Sequence, residues 1–288
     1  MLAPARPACY DSNTMLQHDV ETLRDFYATG LGQVVRRLLL QRIRARWRRV
    51  DGATVVGLGF ASPYLGVFRP EAARVGAFMP IEQGALVWPS TGPRLSVLVE
   101  EGRLPLPDSS VDRLLVVHCL EMAQNAGPLL RELWRVLAPN GRLLIVVPNR
   151  RGIWARLDTT PFGQGRPYSR AQLEELLTEA LFTPVDNEGA LYMPPLDRPM
   201  VVRAAPAVER LGARLPAGFA GVILSEATKE LIAPVGKAAR APARGILVPS
   251  RSGGLAHGGG WRTGEQGGTA PFRRSHTESA ELPPDPKP

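Results

Sequence analysis

The chain has 288 residues, of which 44% are hydrophobic and 22% charged, as is typical of a globular protein with a substantial core. The formal net charge of +8 favours an anionic partner, or else reflects arginines on a solvated surface. Only two cysteines occur, Cys9 and Cys119, which excludes a disulfide framework and a cysteine-rich zinc site. The start of the chain lacks the apolar core of a signal peptide, and no apolar run is long enough to span a membrane. We therefore expect a cytoplasmic protein.

Residues 1–18 are predicted to be a flexible lead-in, and apolar residues at helical spacing then predict helices over 19–49. Gly30 and Gly32 are expected to divide this stretch into two helices, because glycine disfavours a helix interior. The second half is rich in arginine, with Arg36, Arg37, Arg42, Arg44, Arg46, Arg48 and Arg49. This pattern predicts either contact with a phosphate-rich partner such as nucleic acid, or the solvated face of a helix packed on a sheet.

Short apolar runs then predict strands at 53–59, 74–80, 94–100, 112–118 and 142–147. Continuous apolar runs are typical of strands that are covered on both faces, as in parallel sheets. Helical patterns separate several of them, the clearest at 128–137 and at 169–181, where Ser169 is a candidate N-cap. Two late strands, near 183–193 and 219–228, flank a helical segment at 203–214 and would form the far edge. The alternation predicts a doubly wound α/β sheet with helices on both faces.

The composition changes after Pro242 to glycine, proline, serine and scattered charge. Such a segment buries too little apolar surface to offset the entropy of ordering, so 242–288 is predicted to be a disordered tail. The domain itself is then predicted over 19–241, with a helical segment at 19–49, a core at 50–182 and edge strands within 183–241.

A glycine-rich turn ends the first predicted strand, in the sequence Val55-Val56-Gly57-Leu58-Gly59-Phe60-Ala61. Two glycines and a small residue at alternate positions allow the backbone to bend sharply beside a ligand. A turn that ends a strand without any ligand has the same appearance, so the pattern alone leaves both interpretations open.

Two further segments are more specific: EEGRLPLPDSSVD at 100–112, which leads into the fourth strand, and ELWRVLAPNGRL at 132–143. Together with the glycine turn they resemble the class I S-adenosylmethionine (SAM)-dependent methyltransferases of the small-molecule type, over about residues 50–182. The resemblance implies a seven-stranded, mostly parallel, Rossmann-like sheet, SAM as cofactor, and methyl transfer to a small-molecule acceptor.

The resemblance also implies roles for individual residues. The glycine turn would pass under the amino-acid end of SAM, a carboxylate and a backbone amide after the third strand would contact the adenine, and His118 would end the fourth strand beside the ligand. The cofactor-binding residues implied in this way are Gly57, Gly59, Ala61, Glu101, Gly102 and His118. His118 is also the nearest candidate for a general base, and a buried structural histidine is the alternative.

Two positions depart from the family pattern. Val55 stands where the family has an acidic residue ahead of the glycine turn, and the second strand, 74–80, lacks the acid that binds the ribose hydroxyls. Losing those charge-assisted hydrogen bonds predicts cofactor binding weaker by roughly one to three orders of magnitude. Glu82 offers another carboxylate nearby, or is simply exposed. The rival hypothesis is therefore a catalytically degenerate relative that acts as a binding or regulatory module.

The remaining predictions concern the substrate side of the sheet. Arg150 and Arg151 follow the fifth strand, where they would meet an anionic substrate or only water, and the loop at 152–168 is expected to cover the pocket. A nicotinamide-dependent oxidoreductase is disfavoured, because its third glycine and the acid after the second strand are both missing.

Overall fold

The computed structural model of the chain describes residues 19–214 and 217–230. Cys9, the lead-in predicted over 1–18 and the tail predicted over 242–288 lie outside the described residues.

A seven-stranded sheet forms the centre of the molecule, with the strand order β3-β2-β1-β4-β5-β7-β6. Its strands are β1 Thr54–Gly59, β2 Arg74–Pro80, β3 Ser96–Val99, β4 Val111–Val117, β5 Leu137–Pro148, β6 Thr183–Ala190 and β7 Val222–Thr228. Strands β3, β2, β1, β4 and β5 run parallel, whereas β7 is antiparallel to both β5 and β6. The predicted doubly wound, mostly parallel α/β sheet is confirmed.

Helices cover both faces of the sheet. They are α1 Val20–Ala28, α2 Gly30–Arg46, α3 Ser62–Leu65, α4 Ala126–Val136, α5 Arg170–Glu179 and α6 Pro199–Gly212. One hydrophobic cluster joins α1, α2, α3 and α6 to the sheet, and a second joins α4 and α5 to the opposite face. Within residues 19–214 and 217–230, none of these helices is both long and apolar enough to cross a bilayer.

The break between α1 and α2 lies at Thr29, not at the predicted glycines. The Thr29 side chain caps α2 by accepting a hydrogen bond from the backbone amide of Gly32 at 3.0 Å. Both Gly30 and Gly32 lie inside α2, and a Cβ atom on Gly32 would stand 2.0 Å from the carbonyl oxygen of Phe26. Glycine is needed there because the end of α1 approaches α2 closely, so the helix ends at its cap and the glycine permits the contact.

The arginine-rich helix α2 is tied to the far edge of the sheet by ion pairs. Arg46 donates to Asp186 and to Glu188 of β6, at 2.6 Å each, and Arg42 also pairs with Glu188. These arginines therefore hold the N-terminal helical segment against β6, which matches the prediction of a helix packed on a sheet. Nucleic-acid binding by this helix stays a prediction and rests on its remaining arginines.

Candidate functional site

The loops that follow β2, β3 and β4 meet in a cleft at the carboxyl ends of these strands. The residues that line it are Pro80, Glu82, Gln83, Glu101, His118, Cys119, Met122 and Gln124. The chain runs from β1 outward to β2 and β3 on one side, and to β4 on the other, so this edge is a topological switch point. Ligands of open α/β sheets bind at such points.

Two carboxylates line this cleft. Glu82 follows β2 and Glu101 follows β3. Burial raises the pKa of Glu101, and the nearby charge of Glu82 raises it further, while a hydrogen bond with the backbone of Gln124 opposes the shift. Carboxylate oxygens accept hydrogen bonds from hydroxyl and amino groups, so the pair suits a ligand with several donors, such as a nucleoside.

The glycine turn lies beneath the cleft and does not line it. Gly59 has a φ of +77°, and a Cβ atom there would stand 2.3 Å from the carbonyl oxygen of Val117 and 2.7 Å from Cβ of Cys119. A Cβ atom on Gly57 would stand 2.6 Å from Cβ of Ala61. The small residues of the turn are therefore required by the protein's own packing, whether or not a ligand is present.

Among the other predicted residues, Gly102 lies in open space, where an added Cβ atom would contact nothing within 4 Å. The structure brings Glu101 and His118 together in the cleft and adds Glu82 to them. Gly57, Gly59 and Ala61 are adjacent to the cleft through Cys119, the neighbour of Gly59.

His118 belongs to a buried chain of polar side chains. Its Nε2 lies 3.0 Å from the Tyr27 hydroxyl, its Nδ1 lies 3.4 Å from a carboxylate oxygen of Glu121, and the Tyr27 hydroxyl lies 2.8 Å from that of Tyr64. All four residues are at most 7% exposed, and burial raises the pKa of both tyrosines. His118 also has a φ of +51°, a strained conformation for a residue other than glycine that is often found at functional sites.

Aromatic rings pack around this polar chain beside the glycine turn. Tyr27 stacks on Phe60, which lies within the turn, at a centroid distance of 5.5 Å. Phe162 packs on His118 at 4.6 Å and on Trp154 at 5.6 Å. The loop at 152–168 thus covers His118 with the buried ring of Phe162, which packs in turn on the buried Trp154.

Sequence reasoning did not find Tyr27, Tyr64, Glu121 or Gln83. Tyr27 occupies a core position of an amphipathic helix, and its pattern is that of any packed aromatic residue. For Glu121 the sequence offered one signal of a contact with His118, namely a carboxylate three residues after it. Gln83 holds the site together by donating a 2.7 Å hydrogen bond to the His118 carbonyl oxygen.

The segment 103–110, which carries much of the family resemblance, is held in place by helix α4. Glu132 accepts a 2.7 Å hydrogen bond from the backbone amide of Leu104. Arg135 donates to the carbonyl oxygens of Leu104 and Leu106 at 3.1 and 2.9 Å, and its contact with Glu132 lowers the pKa of that carboxyl. These four residues form a clamp, named here the α4 clamp, that fixes the chain between β3 and β4.

The arginines after β5 lie at two separate surface depressions. Arg150 lines one of about 690 Å³, together with Arg166, and Arg151 lines another of about 360 Å³. Gln124 lines both the cleft and the depression that holds Arg150, so these two spaces adjoin.

The cleft fits the two ends of SAM unequally. Glu82 and Glu101 line it as hydrogen-bond acceptors, which would suit the hydroxyl and amino groups of an adenosine. Tyr27 and Phe162 both pack on His118, one of the residues that line the cleft, and the free volume of the cleft is about 30 Å³. That volume admits one or two water molecules, whereas small-molecule sites usually measure roughly 300–1,000 Å³. SAM would therefore require the side chains that line the cleft to move apart.

Comparison with known proteins gives a consistent result. Residues 42–145 match the model of the methyltransferase domain family. A Mycolicibacterium smegmatis protein named as a probable SAM-dependent methyltransferase is 36% identical over 91 residues, which are 31% of this chain and 35% of that protein. The demethylmenaquinone methyltransferase of Thermus thermophilus is 32% identical over 120 residues, 41% of this chain and 44% of that enzyme. The chain thus spans less than half the length of the curated relatives that it matches.

Solved structures show the same fold. A SAM-dependent methyltransferase from Thermotoga maritima aligns with a TM-score of 0.51 at 14% identity, over 73% of this chain and 96% of that one. A Haloferax volcanii protein, solved in complex with the Trm112 methyltransferase activator, aligns with a TM-score of 0.52 at 19% identity, over 72% and 97%. The sheet is therefore of the Rossmann-like methyltransferase type, and residues 42–145 are similar to the methyltransferase domain family.

Proposed function

We propose that this protein binds SAM in the cleft at the carboxyl ends of β2, β3 and β4, and transfers a methyl group to a small-molecule acceptor. When bound, SAM supplies an electrophilic methyl group on its sulfonium. One observation carries the proposal: Glu82 and Glu101, from the ends of two neighbouring strands, converge on a single cleft within a methyltransferase domain.

Each end of the cleft has a role in this proposal. Glu101 and the Gly102 amide would hold the adenine, and Glu82 would accept from the ribose hydroxyls in place of the acid that β2 lacks. Gly57, Gly59 and Ala61 would shape the floor below the amino-acid end. In this proposal, Tyr27 would move away from His118 to admit the amino-acid end of SAM. Helix α1, which carries Tyr27, would then be the gate that controls access to that end.

The acceptor would occupy the depression lined by Arg150 and Arg166, because this depression shares Gln124 with the cleft. Two carboxylates, Glu175 and Glu179, line it beside the two arginines, so it suits a small polar acceptor that would be held near the methyl group by position. His118 is buried and engages Tyr27 and Glu121, so in this proposal it positions these side chains and does not touch the acceptor.

Calorimetric titration of the full chain with SAM and with S-adenosylhomocysteine tests the proposal. Glu101→Gln should weaken both ligands by about tenfold or more, since a charge-assisted hydrogen bond is lost. Glu100→Gln is the matched control, because Glu100 is the exposed neighbour that does not line the cleft, and its affinity should equal that of the parent chain. Equal affinities for all three chains would contradict the placement of adenosine against Glu101.

A second candidate function is a binding or regulatory module that has lost methyl transfer. The enclosed volume of about 30 Å³ and the aromatic rings beside the glycine turn favour it. The same titration separates the two functions: absence of heat at about 1 mM SAM and S-adenosylhomocysteine would exclude the enzyme and leave the module.

A further inference from the structure

A second concave site lies on the other side of Tyr27, between α1, α2 and the loop after β1. We name it the α1–α2 pocket. Its volume is about 360 Å³, and its lining includes Arg24, Tyr27, Arg36, Phe60, Pro63 and Trp88. This volume is at the lower end of the range for small-molecule sites. Tyr27 separates the pocket from His118, which lines the cofactor cleft.

The charge of this pocket is positive and largely uncompensated. Its only charged lining residues are Arg24 and Arg36. Arg36 donates through Nε to the carbonyl oxygen of Pro63 at 3.1 Å, which fixes its guanidinium at the pocket wall. Within residues 19–214 and 217–230 no carboxylate pairs with Arg36, whereas Arg24 pairs with the exposed Asp25 at 3.0 Å. The two terminal nitrogens of Arg36 therefore remain available as a fork for an anion.

Three of the other lining residues are aromatic, namely Tyr27, Phe60 and Trp88. Phe60 is buried and stacks on Tyr27, and Trp88, which is only partly buried, lines the same space. Rings of this kind bind a flat apolar body, and an arginine fork binds a carboxylate through two parallel hydrogen bonds. A free inorganic anion would satisfy only the arginine and leave the aromatic surface uncovered.

We propose that the α1–α2 pocket binds a small aromatic carboxylate, with its carboxylate on Arg36 and its ring between Phe60 and Trp88. This inference goes beyond the proposed function, because the pocket is separate from the cofactor cleft and its binding is measured without SAM.

The test is ¹⁹F NMR titration of the full chain with 4-fluorobenzoate, with neutral 4-fluorobenzyl alcohol and inorganic phosphate as comparison ligands. We expect 4-fluorobenzoate to bind, the alcohol to bind at least about tenfold more weakly, and phosphate not to displace the benzoate at equal concentration. Arg36→Gln should weaken 4-fluorobenzoate by about tenfold or more. Arg37→Gln, at the exposed neighbouring position of α2, should leave its affinity unchanged.

Three outcomes would overturn the proposal. The first is no binding of 4-fluorobenzoate at about 10 mM, and the second is equal affinity in the parent chain and in Arg36→Gln. The third is displacement by phosphate at equal concentration, which would show that the aromatic wall contributes nothing. Trp88→Leu provides an independent check of that wall, since loss of ring stacking should weaken the benzoate and leave the folded state intact at this partly exposed position.

Discussion

The α4 clamp and the glycine-turn end of the cleft differ in how closely they follow the family. The clamp consists of Leu104, Leu106, Glu132 and Arg135, all within the most family-like segments. The hydrogen bonds that form it join these residues to one another. At the glycine turn Val55 stands where the resemblance implies an acidic residue, β2 carries no acid, and aromatic side chains pack beside the turn. The segment that most resembles the family therefore supports the fold of the chain. In our proposal, SAM binding depends instead on the glycine-turn end of the cleft, where the sequence departs from the family.

The difference has a physical origin. A loop clamped by one arginine and one glutamate loses several hydrogen bonds at once when either residue changes, so its sequence is closely constrained by stability. The loss of a contact between the protein and a ligand leaves the stability of the ligand-free folded protein unchanged. Where a ligand site closes, buried aromatic packing even adds stability through removal of apolar surface from water.

The largest effect is expected at the clamp. Arg135→Met removes the donors to Leu104 and Leu106 and leaves Glu132 without its ion partner, which should lower the free energy of unfolding by about 2–3 kcal/mol. Arg131→Met is the matched control on the exposed side of the same helix and should change it by less than about 0.5 kcal/mol. Urea denaturation measures both. Similar values for the two variants would show that the loop does not depend on the clamp.

The next effect concerns the filled end of the cleft. The proposed function puts the amino-acid end of SAM beside the glycine turn, where Tyr27 stacks on Phe60, so Tyr27→Ala should tighten SAM by about tenfold and leave adenosine, which lacks that end, unchanged. Calorimetric titration with both ligands measures the ratio. A Tyr27→Ala chain that gains nothing for SAM would mean that Tyr27 is not the gate.

The smallest effect is a pH dependence at Glu101. Burial raises the pKa of this carboxyl in the folded protein, so the folded state holds its proton to a higher pH than the unfolded state does. The resulting stability is fully present below about pH 4.3, the ordinary glutamate value, and is lost as the pH rises through the raised pKa. Glu101→Gln has no carboxyl group to ionise at this position, so at pH 7 its free energy of unfolding should exceed that of the parent chain by less than about 1 kcal/mol. The difference is small because solvent partly screens the carboxylate.

Urea denaturation of both chains at pH 4 and pH 7 checks this prediction. The advantage of Glu101→Gln should be present at pH 7 and smaller at pH 4. An advantage that is equal at both pH values, or larger at pH 4, would contradict the assignment of the shift to a buried carboxylate.

Much of the fold was predictable from local pattern. Strand β2 was predicted with the bounds that it has, 74–80, and helix α5 begins directly after its predicted cap, Ser169, whose side chain accepts from the Gln172 amide. Apolar runs, capping residues and turn residues act over a few neighbouring positions, so a sequence displays them directly. The convergence of Glu101 and His118 on one cleft also followed from strand order in a parallel sheet.

The sequence by itself thus determined the alternation of strands and helices, the family resemblance and the edge of the sheet where ligands collect. Only the tertiary structure decided what fills that edge. Tyr27 reaches His118 from 91 residues away, and Arg46 reaches Glu188 from 142 residues away. No periodic pattern encodes such contacts, because they depend on how whole elements pack against one another and on which side chains meet when they do.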